Sequence, residues 1–322
     1  LLSAVSPDWS AALSVAWVVM AQGVCGVAKD LTKTASKSAI KLTAGGASGR
    51  LFKWVAWFTG SKNAMKGLGF FFGGLLLEGL GFQGALWLMA GLLGLVLVGV
   101  VFSLPTHLGR AKPSKSAKEL FSKSRALNLL AASRLALFGA RDVWFVVGVP
   151  VFLYSQGWTF PMVGGFMAAW TIGYGLVQSL APQVVPRSND GLSREVPASR
   201  AWAFGLALIP VVMVFAIDPS QVQADLWLVL GLSLFGLAFA VNSSVHSYLV
   251  LAYAGSEKAA EDVGFYYAAN AAGRFLGTLL SGWLYGVGGI AACLWGSALL
   301  LSVGFLLSLG FPRQSQPNVI EP

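Results

Sequence analysis

The sequence predicts an all-α fold, a polytopic bundle of membrane-spanning helices, on three observations. The chain of 322 residues is 56% hydrophobic and only 11% charged, with a mean hydropathy of +0.70, whereas soluble domains carry roughly a quarter of their residues as charges. Apolar runs long enough to cross a bilayer, about 17 to 25 residues, recur along its whole length. The basic residues gather on every second connection between those runs, the asymmetry that orients helices in a membrane.

In chain order the runs cover 10–28, 64–81, 83–104, 127–154, 160–181, 199–217, 226–253, 263–286 and 289–311, nine expected spans. Of the 22 Lys and Arg, eight lie from Lys29 to Lys66, six from Arg110 to Arg125, three at Arg187, Arg194 and Arg200, and one each at Lys258 and Arg313. All of these fall on one side. The intervening connections, around Asp8, Glu78, Ser155, Asp218 and Gly286, hold no basic residue. The basic side is cytoplasmic, which puts the carboxyl tail inside and residue 1 outside. A multi-pass protein of the cell (inner) membrane is expected, with the lipid bilayer as its solvent and a monomer as its state.

Between the first and second runs, the segment LTAGGASGRLFKWVAWFTGSKNAMKG is too polar at both ends to cross. Basic residues beside Trp54, Trp57 and Phe58 describe a helix lying in the membrane interface. The expectation is such an element at 51–59, within an interfacial segment of about 43–62, preceded by a hinge at 44–49. Gly69 with Gly73, Gly273 with Gly277 and Gly282 with Gly286 are each four apart, spacing that lets helix backbones approach closely.

The basic linker 105–125 has six expected spans after it and three before it. A bundle of six plus six helices about a charged cytoplasmic linker resembles the major facilitator superfamily. That resemblance implies a bundle of major facilitator type with nine transmembrane helices present of an expected twelve. The implied organisation is a truncated N-terminal half-bundle at 1–104, the linker at 105–125, a C-terminal six-helix half-bundle at 126–312 and a cytoplasmic tail at 313–322.

Charges inside the apolar runs are the candidate functional groups. An ionised side chain at mid-membrane costs at least about 2.5 to 3.5 kcal/mol on insertion scales and normally faces a cavity and a partner. Arg134 and Arg141 are seven apart and share a helix face, with Asp142 beside the second. Tyr266, Asn270 and Arg274 recur every fourth residue, Asn242 and His246 are four apart, and Trp170, Tyr174 and Gln178 repeat in the same register. These stripes predict a wet central cavity with cationic, aromatic and amide walls. A guanidinium meets phosphate, arsenate or carboxylate oxygens in pairs, so the expected cargo is a small-molecule oxyanion. For Arg141 and Asp142 the alternative is a salt bridge holding two helices together.

Lys29, Lys33, Lys37 and Lys41 also recur every fourth residue, just past the first run. Like charges at that spacing repel by a few tenths of a kcal/mol per pair, so the stripe calls for something anionic. It reads either as a route for an anionic cargo, with Lys29 and Lys33 contacting it, or as a solvated loop beside acidic lipids. Asp30 and Asp142 are the candidates for ion coupling.

Other functions are disfavoured. Cys25 and Cys293 each lie in an apolar run, so no disulfide framework or paired thiolate metal site is expected. The sequence has no HExxH, no phosphate-binding glycine loop and only two histidines, His107 and His246. No enzyme activity, cofactor or metal is expected, and the net charge of +9 is explained by membrane orientation and not by nucleic acid.

The strings AQGVCGVAKDLTKTASKSAIKL, LFKWVAWFTGSKNAMKGLGFFFGGLLL and NAAGRFLGTLLSGWLY resemble the organoarsenical efflux permeases of the major facilitator superfamily, the ArsJ family. The resemblance runs over about 10–311 and implies a family member lacking its first three helices. It implies export of 1-arseno-3-phosphoglycerate by alternating access, conferring arsenate resistance, with a functional link to the glyceraldehyde-3-phosphate dehydrogenase that makes this ester. In that role Lys29, Lys33, Arg134, Arg141 and Arg274 neutralise the cargo and Asn242, His246, Tyr266 and Asn270 hydrogen-bond it. The alternatives are a transporter of another organic anion, such as a sugar phosphate or carboxylate, and a non-transporting remnant.

Overall fold

A computed structural model describes residues 2–6, 8–10, 12–26, 28, 48–103, 123–185, 188, 192–217, 223–253 and 259–313. Every regular element among them is helical. After a short turn of 3₁₀ helix at Leu2–Ala4 come α1 (Ala12–Gly26), α2 (Ser48–Ser103), α3 (Arg125–Phe145), α4 (Gly148–Ser155), α5 (Phe160–Val184), α6 (Glu195–Ala216), α7 (Ala224–Tyr253) and α8 (Ala259–Leu309). Most of the expected linker, part of the expected hinge, Lys37, Lys41 and His107 lie outside the described residues.

Among the described residues six helices are long and apolar enough to cross a membrane: Met65–Ser103, Arg125–Ser155, Phe160–Gln178, Glu195–Ala216, Ala224–Val250 and Asp262–Leu309. Eight of the nine expected spans fall within these six helices, and the count differs from nine for two physical reasons. The first run appears as Ala12–Gly26, a shorter apolar helix. Two other helices each contain a pair of expected spans joined at glycines with non-helical backbone: Gly81 (φ 65°, ψ 177°) in α2, and Gly288 and Gly289 (φ 60°, ψ −151°) in α8. The positive φ at Gly81 and Gly289 is the conformation that only glycine adopts without strain.

At Gly289 the chain folds back. Cys293 Sγ lies 3.6 Å from the Ser281 carbonyl oxygen, although twelve residues of straight helix would hold them about 18 Å apart. A side chain on Gly296 would likewise run into Leu284. α8 is therefore a pair of packed arms, 259–287 and 290–309.

The residues fall into two compact units, 1–114 with 160–168, and 115–159 with 169–322. In the first, α2 begins at Ser48 and continues unbroken through 64, so the segment expected to lie separately in the interface at 51–59 is part of the same helix. Close packing in this unit falls one residue away from the expected glycine. A Cβ on Gly69 or Gly73 would meet nothing, whereas one on Gly74 would strike the Phe160 carbonyl and one on Gly164 the Phe70 carbonyl.

In the second unit α3 is the central helix, and its main partner is α8. Ser124 caps α3 by accepting the Leu127 N–H at 3.3 Å, and Lys123 pairs with Asp262 at the start of α8 at 2.9 Å. Three glycines bring the two backbones together: a Cβ on Gly273 would collide with the Leu135 carbonyl, one on Gly277 with the Gly139 carbonyl, and one on Gly139 would sit 3.1 Å from the Gly273 oxygen. Of the three expected glycine pairs, 273 and 277 make this contact, while Gly282 and Gly286 face open space.

Pro150 ends α3 early. It has no N–H to give the Val146 carbonyl and its ring crowds that turn, so the helix breaks at 146–147 and resumes as α4. The Val147 and Gly148 N–H groups are both accepted by Ser281 Oγ, at 3.1 and 3.3 Å. The outward faces are apolar, with Phe215, Trp283 and Leu299 largely exposed, as a lipid solvent requires.

Candidate functional site

The charged side chains of α3 lie within the second unit, and they form two clusters. At the first, Arg134 is 4% exposed. Its Nε donates to Asn270 Oδ1 at 3.2 Å and its Nη1 donates to both the carbonyl and the hydroxyl oxygen of Ser243 at 3.0 Å. Its guanidinium lies over the rings of Phe138 at 4.1 Å and Tyr266 at 5.0 Å, an arrangement that stabilises a desolvated cation by about 2 kcal/mol. No carboxylate among the described residues pairs with it.

At the second, Asp142 is 1% exposed and joins two arginines. Arg141 Nε donates to its Oδ1 at 2.7 Å, and Arg274 Nε donates to its Oδ2 at 2.9 Å. Adjacent residues point about 100° apart on a helix, yet the Arg141 side chain bends back to its neighbour while the carboxylate reaches across to α8. Arg141 is also enclosed by Phe138, Phe145 and Phe239, whose ring centres lie 4.9, 5.8 and 5.5 Å from it. Arg274 differs: its side chain is 42% exposed, and its two terminal nitrogens have no partner among the described residues. The geometry is thus a salt bridge between two helices that also presents an open guanidinium fork.

The expected polar residues take specific places. Asn270 and Tyr266 both meet Arg134, one by hydrogen bond and one through its ring face. Asn242 accepts from Ser199 of α6 at 3.4 Å, so Ser243 beside it is the α7 residue that meets Arg134. His246 is buried, with an edge contact to Phe311 at 6.0 Å, and neither ring nitrogen has a hydrogen-bond partner among the described residues. Lys29, Asp30 and Lys33 lie outside the described residues. The stripe at Trp170, Tyr174 and Gln178 faces α7: Trp170 Nε1 donates to the Leu232 carbonyl at 2.8 Å, Trp170 and Tyr174 stack at 5.9 Å, and Gln178 reaches Ser243 Oγ at 3.5 Å.

Sequence reasoning passed over Ser243 and the three phenylalanines. Phe138 stands four residues after Arg134 and three before Arg141, on the same helix face, and that spacing was the available signal. Ser243 had no signal beyond its position next to Asn242.

Chemically, one carboxylate stands against three guanidinium groups, two of them enclosed. A tetrahedral oxyanion or carboxylate can bind the Arg274 fork in paired fashion without first breaking the ion pair at its Nε. The six apolar helices place the protein in one class, the multi-pass helical membrane proteins. No protein-family model matches the chain, and no curated protein matches it.

Proposed function

We propose that the protein is a membrane permease for anionic organic cargo and, more narrowly, an exporter of 1-arseno-3-phosphoglycerate working by alternating access in a bundle of major facilitator type. The carrying observation is the excess of cation over anion in the two charged clusters between α3 and α8: Arg134, Arg141 and Arg274 against Asp142 alone, with the Arg274 fork open. A bundle whose solvent is lipid holds such an excess at low cost only if an anion visits it. The similarity of the AKDLTK, FTGSKNAMKG and NAAGRFLGTLLSG strings to organoarsenical efflux permeases narrows the anion. Pentavalent arsenic is bound through its oxygens, which suits guanidinium groups and makes no use of thiolates.

In this reading Arg274 contacts the cargo, Asp142 fixes the Arg274 side chain through Nε alone, and Arg141 neutralises Asp142 within the phenylalanine cage. The two glycine breaks divide α2 and α8 into two spans each, giving nine with α1, and the carboxyl end lies in the cytoplasm of a cell whose inner membrane holds the protein. An inside-negative potential drives a departing anion outward by about 2.3 kcal/mol per charge per 100 mV, so export needs no ATP site.

The test is transport into everted membrane vesicles carrying the full chain, using enzymatically generated 1-arseno-3-phosphoglycerate. Uptake is expected with the wild type and not with Arg274→Gln, at equal amounts of inserted protein. Equal uptake by the two would remove Arg274 from the site. Uptake of a sugar phosphate or carboxylate in place of the arseno-ester would retain the anion permease and replace its cargo.

A further inference from the structure

We infer that the Arg134 cluster is a second oxyanion site, separate from Arg274 and on its cytoplasmic side, that takes a tetrahedral anion of the phosphate class. The inference rests on the anion-permease reading and adds a stage to it. Arg134 and Arg141 are seven residues apart on α3, which is about 10 Å of helix rise. The guanidinium groups are nearer than that, since both lie over the Phe138 ring, 4.1 and 4.9 Å from its centre, so the two clusters are neighbouring stations that share one phenylalanine ring.

Three observations indicate that the Arg134 station receives a ligand. Its charge is enclosed at 4% exposure and, among the described residues, is met by neutral groups only, Asn270, Ser243 and two ring faces. Its Nη2 donates to no described residue, so a donor of the fork remains available. The third is His246, 1% exposed, with both ring nitrogens unpartnered. A buried imidazole in that condition carries the desolvation cost of its polar atoms with no compensating bond.

These groups converge. Ser243 and His246 are three apart on α7 and share its face, and Tyr266 and Asn270 are four apart on α8. Arg134 binds Ser243 and Asn270. α7 runs toward the basic side of the membrane and the first arm of α8 runs away from it, so His246 and Tyr266 both lie one turn to the cytoplasmic side of the guanidinium. An oxyanion there accepts from Arg134 Nη2 and the His246 N–H. Beyond it lies an apolar layer of Leu127, Leu249 and Phe311. Arg200 fixes that layer by donating to the carbonyls of Ser308, Leu309 and Phe311 at 2.9 to 3.0 Å. The layer must part for the anion to enter, as an occluded station in an alternating carrier requires. Two stations of moderate affinity let an ion enter readily and still leave.

The experiment is equilibrium binding of radiolabelled inorganic phosphate to the full chain in lipid nanodiscs. The wild type is expected to bind two phosphates, Arg274→Gln one, and Arg134→Gln and His246→Ala one, or two with one Kd weakened by at least about tenfold, the loss of a charge-assisted contact. Arg134→Lys, which keeps the charge, should restore binding in part. His246→Ala breaks no hydrogen bond, so it decides the matter if Arg134→Gln fails to fold. One phosphate in the wild type, lost in Arg274→Gln and unchanged in His246→Ala, overturns the second site and leaves the permease reading intact. No phosphate bound at all overturns both.

Discussion

Arg134 and Arg141 stand on the same face of α3 and are equally buried, at 4% exposure each, yet their charges are met in opposite ways. Arg141 has a carboxylate at 2.7 Å and a phenylalanine cage, so its local charge is balanced by a permanent partner. Arg134 has an amide, a serine and two rings, which orient the guanidinium without cancelling its charge. The contrast teaches that a buried arginine is informative through what is missing around it. A balanced one holds helices together, and an unbalanced one leaves an electrostatic demand for a ligand to meet.

The comparison can be broken at either end. The largest expected effect is Asp142→Ala, which leaves Arg141 enclosed and unpaired and should lower stability by about 3 kcal/mol, read as a fall in melting temperature in detergent. An unchanged melt would show that the carboxylate does not carry the charge of Arg141. Next is Gly277→Ala, whose methyl group meets the Gly139 carbonyl and the Asp142 Cβ and so wedges α8 off α3 at the ion triad; a loss of about 2 kcal/mol is expected. Gly282→Ala, where nothing lies within 4 Å, should stay within about 0.5 kcal/mol of the wild type in the same assay.

Ser243→Ala removes one of the two acceptors for Arg134 Nη1 and leaves the Ser243 carbonyl in place. A loss of about 1 kcal/mol is expected, well below that of Asp142→Ala; equal losses would erase the distinction between the two arginines. Smallest of all is Ser199→Ala. Its bond to Asn242 is 3.4 Å long, near the limit of a hydrogen bond, and the melting temperature should move by no more than the experimental scatter.

How much of this was legible in advance varies with the range of the interaction. The helices at 125–155, 195–216 and 224–253 were visible because apolar run length is a local property. The breaks at Gly81 and at Gly288 with Gly289 were visible as the places where one run ends and another starts. Within the candidate site, helical periodicity put Arg134 on one face with Arg141 and put Tyr266 and Asn270 on a stripe with Arg274, and the structure brings Arg134 against Asn270 and Tyr266. The partners of Asp142 were not readable, because the choice between a neighbour on α3 and an arginine on α8 depends on side-chain reach across a helix interface. The glycine contacts failed for the same reason in one place: spacing marks Gly69 and Gly73 as readily as Gly74, and only the partner backbone distinguishes them.

By itself the sequence determined that this chain is built of long apolar helices suited to lipid, roughly where those helices run, and that three arginines lie within them. These follow from composition and periodicity, which act through the solvent and the backbone and need no knowledge of neighbours. Only the tertiary structure decided that Asp142 is held between Arg141 and Arg274 and that, among the described residues, Arg134 meets no acid and the His246 nitrogens meet no hydrogen-bond partner. Electrostatic balance in a low-dielectric interior is set over a few ångströms between groups remote in the chain, and that distance exists only once the helices have packed.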